Sequence, residues 1–121
     1  MSIKTHPQSE HFIYHQLADG VWAAIATSTG LAGSNSGIIN TGDQTVVFDT
    51  TLSPASAADL RETAERLTGR PVSIILNSHF DRDHVFGNAV FSPHTQIYST
   101  ARTREIMAER THTDILEFKK K

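Results

Sequence analysis

The 121-residue chain contains no cysteine, which excludes disulfide bonds and metal sites built on thiolates. It has no apolar run long enough to span a bilayer, and its first residues lack the apolar core of a signal peptide. Lysine and arginine total 11 against 13 acidic residues, and no basic patch favours nucleic-acid binding. We therefore expect a cytoplasmic protein with neither a nucleic-acid nor a membrane partner.

The composition that remains is typical of one globular domain. A chain of 121 residues buries roughly two-thirds of its unfolded surface, which is enough for a core. Residues 1–121 are therefore interpreted as a single domain with a loose polar lead-in over 1–10. Apolar periodicity predicts strands at 12–17, 21–27, 37–40, 45–49, 72–76 and 95–98.

Helical spacing predicts two main helices. Ser53 can cap the first, Pro54 suits its first position, and Gly69 ends it. The second is predicted from Thr100 to about Arg110, and a further helix could follow it from residues 111–114. The element order is thus strands, helix, strand, polar loop, strand, helix.

The polar loop after the strand at 72–76 is the most informative segment. Two imidazoles and two carboxylates fall within six residues, at His79, Asp81, Asp83 and His84. In an extended segment His79, Asp81 and Asp83 share one side, and a turn after Asp83 can bring His84 to the same place. Such ligands at the end of a strand predict a site for one or two divalent metal ions, against the alternative of a solvated loop.

Four features of residues 12–110 resemble the metallo-β-lactamase superfamily. Gly20-Val21-Trp22 opens the second strand, residues 35–39 lead into a hairpin that ends at 46–50, and a helix precedes Pro71 to Asn77. The fourth feature, residues 78–88, contains a metal loop. The family's His-x-His-x-Asp-His reads here as His79-Phe80-Asp81-Arg82-Asp83-His84. This last motif is specific, and the other three are weak alone.

The resemblance implies an α/β fold that is half of an αββα sandwich, with a mixed sheet and helices on one face. By position, His79 and Asp81 would bind a first metal, and Asp83 and His84 a second. Asp81 departs from the family pattern, which has histidine there. A carboxylate is a harder ligand, so iron or manganese competes with the zinc that the resemblance implies first. The flavodiiron branch looks similar at this position.

The second departure is length. Family members are about twice as long, and their remaining ligands come from a second half. The resemblance therefore implies a homo-oligomer or a missing C-terminal half as partner. His94 and His112 are candidate extra ligands with shorter spacing from His84 than the resemblance requires, and the other interpretation is a surface histidine. Asp49 resembles a position that orients the metal loop, although it could also only cap the next turn.

The implied function is a metal-dependent hydrolase of ester, thioester, amide or phosphoester bonds in a small-molecule substrate, acting through metal-bound hydroxide. Asp83 is the catalytic candidate because it could orient the attacking water. Arg82 is predicted to alternate away from the cluster, where it balances the aspartates or is solvated. One alternative is a non-catalytic truncated module with weak or no metal binding. Another, favoured by Asp81 alone, is a di-iron redox domain. The sequence does not predict the substrate.

Overall fold

The fold is seen in a computed structural model that describes residues 4–5, 9–91 and 93–119, with side chains from 9–91 and 93–110. The strands are β1 (Lys4–Thr5), β2 (Phe12–Ala18), β3 (Val21–Ala26), β4 (Ser36–Asn40), β5 (Thr45–Phe48), β6 (Val72–Leu76) and β7 (Gln96–Tyr98). The helices are α1 (Pro54–Thr68), α2 (Arg82–Val85) and α3 (Ala101–Lys119), and a 3₁₀ helix covers Asn88–Phe91.

The described strands form one mixed sheet in the order β1 to β7. Neighbours are antiparallel from β1 to β5, whereas β5, β6 and β7 are parallel because helical crossovers return the chain between them. The predicted α/β class with a mixed sheet is confirmed. The prediction of a loose lead-in was wrong for Lys4 and Thr5, because these residues pair with the outer edge of β2. Without them the backbone groups along that edge would be unpaired.

Helix α1 begins and ends at the predicted residues. The Ser53 side chain accepts a hydrogen bond from Ser56 N at 3.1 Å, and Pro54 occupies the first turn. Gly69 closes the helix in the left-handed region at φ +74°, which glycine adopts without steric cost. The cap and the closing glycine therefore fix the length of the crossover from β5 to β6.

The core lies between the sheet and α1. One row of paired residues crosses the sheet through Trp22, Ile38, Val47, Ile75 and Ile97. All except the edge residue Ile97 are buried. They pack with the apolar side of α1, namely Ala57, Leu60 and Ala64. This packing buries the face of the sheet that carries the row and holds β5 and β6 in place.

Tyr14 adds a polar contact at the edge of this core. Its hydroxyl donates to Asp59 Oδ1 at 3.2 Å, and burial raises the pKa of Tyr14 above its ordinary value. The hydroxyl therefore stays protonated and keeps donating to α1 across the neutral range.

The opposite face of the sheet is also apolar. The pairing register places Ala23, Gly37, Phe48, Leu76 and Tyr98 in one row. A second row contains Val21, Ile39, Val46, Ile74 and Gln96. From β3 to β7 neither row contains an acidic or basic residue, whereas His15 of β2 pairs with Ala23 at the end of the first row. Phe48 is 38% and Tyr98 50% exposed. We call these two rows the open face.

Helix α3 is longer than predicted. We expected a helix that ends near Arg110 and a further one after it, but α3 continues unbroken to Lys119. The prediction was wrong because residues 101–119 contain neither glycine nor proline to end the helix. Within the described part of the chain, no helix has the length and apolarity needed to cross a membrane.

Candidate metal centre

The candidate site lies at the edge of the sheet where β5 and β6 end. Asp49 follows β5, Asn77 follows β6, and Asp49 N donates to Leu76 O at 2.9 Å. Residues 77–81 form a loop that leads into α2. Because the carboxyl ends of parallel strands meet at one edge, this loop lies beside the turn that follows β5.

In helix α2 the side chains do not alternate between two sides, as they would in the extended segment that we predicted from the sequence. The chain becomes helical at Arg82, before Asp83, whereas the turn was expected after Asp83. The alternation predicted for Arg82 does not apply in a helix, but Arg82 lines a cleft together with Asp81 and Asp83, the aspartates whose charge it was predicted to balance.

The four predicted ligands form two pairs of neighbouring side chains. His79 Nδ1 lies 3.4 Å from Asp81 Oδ2, and His84 Nε2 lies 3.6 Å from Asp83 Oδ2. The two imidazole rings have centroids 5.3 Å apart. These are the pairs that the resemblance assigns to separate metals. No group of three His, Cys, Asp or Glu side chains among the described residues is arranged to hold one ion. Their assignment as ligands stays a prediction.

The two extra histidine candidates lie elsewhere. His94 is exposed and lines a different cleft with Arg70 and Pro71, which precede β6, at the opposite end of that strand from the metal loop. The structure therefore does not bring His94 to the cluster. The side chain of His112 lies outside the described residues, so its candidacy is not tested.

Asp49 binds His84 and the start of the metal loop at the same time. Its carboxylate accepts hydrogen bonds from Ser78 N at 2.8 Å and from Ser78 Oγ, and it lies 2.9 Å from His84 Nδ1. Because a carboxylate can only accept, Nδ1 of His84 carries a proton, so in the neutral ring that a metal requires, Nε2, which faces Asp83, is the nitrogen with the lone pair. Asp49 is buried, and it contacts the loop rather than only capping the turn after β5.

Three polar residues that sequence reasoning missed hold the loop backbone. Asn88 Nδ2 donates to Asn77 Oδ1 at 2.8 Å, and Thr50 Oγ1 donates to Asn88 Oδ1 at 2.7 Å. Thr50 N also donates to His84 O at 2.9 Å. This network ties His84 to the ends of β5 and β6. Its sequence signal is the pair Gly87-Asn88, which ends the segment 78–88 that resembles the family's metal loop and to which we assigned no chemical role.

Gly87 lies where two backbone segments approach closely. A Cβ atom at this position would lie 2.5 Å from Ala57 Cβ and would also collide with Thr50 O. Gly87 N donates to Thr51 O at 3.2 Å, and Thr51 has φ +68°. A β-branched residue rarely adopts this conformation, so the surrounding contacts hold Thr51 in a strained backbone.

A stack of planar groups connects α3 to the metal loop. The Arg110 guanidinium lies 5.0 Å from the centroid of the Phe80 ring, and Phe80 stacks on His79 with centroids 4.4 Å apart. Arg110 Nη1 also lies 3.8 Å from Asp81 Oδ1. A residue of α3 therefore contacts the first pair of predicted ligands through both charge and ring stacking.

The sequence profile of the metallo-β-lactamase superfamily matches residues 29–120, which is more than half of the chain. The match includes α1, the metal loop and all of α3. It begins before β4, so it also contains Asp49 and the residues that hold the loop.

Solved structures support the same fold. The chain is similar to a metallo-β-lactamase from Erythrobacter litoralis with β-mercaptoethanol in its active site (21% identity, TM-score 0.74, 89% of this chain and 49% of that one). It is also similar to one from Hirschia baltica (21%, 0.67, 92% and 49%). A third is FIM-1 from Pseudomonas aeruginosa in its mono-zinc form (19%, 0.71, 87% and 49%). This chain spans about half the length of each. With its sequence match, its fold and its metal-loop motif, the chain belongs to the metallo-β-lactamase superfamily.

Proposed function

We propose that this chain supplies half of the active site of a metal-dependent hydrolase that cleaves ester, thioester, amide or phosphoester bonds. The observation that carries the proposal is the pair Asp83–His84 with Asp49 behind it. Asp49 fixes the tautomer of His84, and the free nitrogen of His84 faces a carboxylate oxygen. Metal-binding histidines usually have this arrangement, with an outer carboxylate on the second ring nitrogen.

The Asp83–His84 pair fits a divalent ion. Two ligands of one tetrahedral zinc ion, with bonds of about 2.0–2.1 Å, lie about 3.4 Å apart. The His84 Nε2 to Asp83 Oδ2 separation is 3.6 Å. Both side chains are partly exposed, so an ion and a substrate can reach them from solvent. These two residues would hold one ion.

The His79–Asp81 pair is less ready to bind. His79 Nδ1 accepts a hydrogen bond from Asp81 N at 3.1 Å, so the neutral ring carries its proton on Nε2. Before Nε2 can bind a cation, this proton must move to Nδ1, which lies near Asp81 Oδ2. Asp81 is also paired with Arg110. We therefore expect the Asp83–His84 pair to bind an ion before the His79–Asp81 pair does.

A bound divalent ion would supply Lewis acidity at the scissile group. The chain's own contribution is to place Asp83 beside it. One carboxylate oxygen of Asp83 faces His84, and the side chain is 39% exposed. Asp83 can therefore accept a hydrogen bond from an attacking water and hold it in orientation. Asp49 is buried away from solvent and acts through His84.

Two donors per ion are fewer than a catalytic zinc needs, since such sites have three protein ligands and an open position. The chain spans half of the matched structures, and the described residues contain no group of three donors. These facts also favour a second candidate, a non-catalytic module with weak metal binding. The hydrolase proposal therefore requires further ligands from another half or another copy.

Metal content and turnover separate these candidates. The purified chain should retain zinc, iron or manganese measurable by mass spectrometry, and His84→Ala should lose it. The exposed His94→Ala is the matched control and should retain the metal. Turnover of a chromogenic ester or phosphodiester that falls with the metal supports the hydrolase. Absence of both stoichiometric metal and turnover favours the module, and iron with redox activity would select the di-iron alternative that Asp81 suggested. Equal metal content in all three proteins would contradict every metal-based candidate.

We further propose that the isolated chain associates through the open face. Apolar rows with Phe48 and Tyr98 exposed are a liability for a monomer, and the absence of charge removes any repulsion between copies. Size-exclusion chromatography with light scattering should give a mass above that of one chain. Phe48→Lys should shift the mass towards the monomer, whereas Leu31→Lys, on an exposed loop residue, should not. A monodisperse wild-type monomer would contradict this expectation.

A further inference from the structure

Helix α2 contains Asp83 and His84, but it has only four residues and satisfies few of its own carbonyl groups. In a longer α-helix Gly87 N would donate to Asp83 O. Here Gly87 N donates to Thr51 O at 3.2 Å. The carbonyl groups of the Asp83–His84 pair therefore depend on donors from other segments of the chain.

Two residues from different segments supply these donors. Thr50, in the turn after β5, donates its backbone N–H to His84 O at 2.9 Å. Ser34, two residues before β4, donates its hydroxyl to Asp83 O. The bond from Ser34 depends on a side chain, so a single substitution can remove it without changing the backbone.

The loop that contains Ser34 is itself fixed to its surroundings. Leu52 N donates to Ala32 O at 2.9 Å, and Asn35 Oδ1 accepts a hydrogen bond from the last residue of β3 at 2.9 Å. Between these two contacts Gly33 has φ +72°, and a Cβ atom there would lie 3.1 Å from Leu52 Cδ2. Because both neighbours of this turn are held, the half-buried Ser34 has a fixed backbone from which to donate.

We infer that Ser34 is a positioning residue of the metal centre. It holds the backbone of Asp83, whose Oδ2 atom lies 3.6 Å from His84 Nε2. Ligands that are held in place before an ion arrives lose less conformational freedom when it binds, so the affinity is higher. Ser34 acts through Asp83, because its hydroxyl donates to the Asp83 carbonyl. This inference rests on the proposed function, since it concerns the same ligand pair.

Zinc titration of the full chain, followed by the NMR signals of the histidine rings, tests this role. Ser34→Ala should weaken zinc binding about tenfold, at the lower end of the usual cost of losing a group that orients a metal ligand. Ser34→Thr keeps the hydroxyl and should bind zinc like the wild type. Ser73→Ala is the matched control, because the Ser73 hydroxyl also donates to a backbone carbonyl, Thr45 O at 3.5 Å, at the opposite end of β6 from the metal loop. Its zinc affinity should equal that of the wild type.

A double-mutant cycle separates positioning from a general structural role. Asp83→Ala removes the side chain that Ser34 positions, so adding Ser34→Ala to it should cause no further loss of zinc affinity. If Ser34 only stabilised the fold, its tenfold loss would add to that of Asp83→Ala. The ring signals also report weak binding, which allows the cycle to be completed in the Asp83→Ala background.

The failure of this inference can be distinguished from the failure of the hydrolase proposal. If the wild type binds zinc and Ser34→Ala binds it as tightly as Ser73→Ala, Ser34 has no positioning role and the hydrolase proposal is unaffected. The same conclusion follows if the two losses add, or if Ser34→Thr binds zinc as weakly as Ser34→Ala. A wild-type chain that takes up no zinc would overturn both.

Discussion

Gly87→Ala is expected to destabilise the protein by about 3 kcal/mol or more, at the upper end of the usual cost of forcing extra atoms into a packed site. The added methyl group would lie 2.5 Å from Ala57 Cβ on α1 and would also overlap the Thr50 carbonyl oxygen. Neither neighbour is the flexible end of a side chain, so the backbone must move. Urea unfolding followed by circular dichroism measures the loss.

The same substitution should also weaken metal binding. Gly87 lies two residues after the end of α2, and Thr50, which would be displaced, donates its backbone N–H to His84 O. Gly37→Ala is the matched control because its Cβ would meet Phe48 Cβ at 3.6 Å, an ordinary contact. We expect its unfolding midpoint to be unchanged or slightly raised. Equal unfolding midpoints for Gly87→Ala and the wild type would mean that Gly87 does not lie in close contact with Thr50 and Ala57.

Asp49→Asn should lower the affinity for zinc by about 10- to 100-fold, the usual cost of losing an outer carboxylate behind a histidine ligand. Asparagine tolerates the φ of +62° at this position, so the backbone should persist. The two side chains differ because an amide nitrogen would replace the oxygen that faces His84 Nδ1. That nitrogen is a donor, so the His84 proton would move to Nε2 and block the atom that faces Asp83.

The control for this variant is Asp43→Asn, which changes an exposed turn carboxylate that accepts from Thr41 Oγ1. It removes the same charge from the chain without touching the loop, and its zinc affinity should equal that of the wild type. Competition with a chromophoric chelator gives both affinities. If Asp49→Asn bound zinc as tightly as Asp43→Asn, the Asp49–His84 contact would have no role in metal binding.

Much of the fold could be predicted from the sequence because its signals are local. The cap at Ser53, the closing Gly69 and the apolar run at 72–76 each determine an element without help from distant residues. The length of α3 was mispredicted because threonines and a histidine were taken as a boundary, although none of them ends a helix. The strand at Lys4–Thr5 depends on a partner edge that the local sequence does not reveal.

The site could be predicted only as a set of candidate ligands. The spacing of His79, Asp81, Asp83 and His84 identifies the residue types, but pairing depends on where α2 begins. The tautomer of His84 depends on a carboxylate 35 positions away. The contact between Arg110 and Asp81 depends on how α3 lies beside the loop, an angle that no local pattern encodes. These long-range contacts are also the ones that distinguish the two ligand pairs.

X-ray absorption of the zinc-loaded full chain would show whether the metal loop binds the ion, because it reports the bound atoms even when affinity is modest. We expect imidazole nitrogen and carboxylate oxygen ligands at about 2.0–2.2 Å. The imidazole contribution should fall in His84→Ala and remain in His94→Ala. A wild-type spectrum of hydrated zinc alone, or one that His84→Ala leaves unchanged, would contradict the assignment of the metal loop.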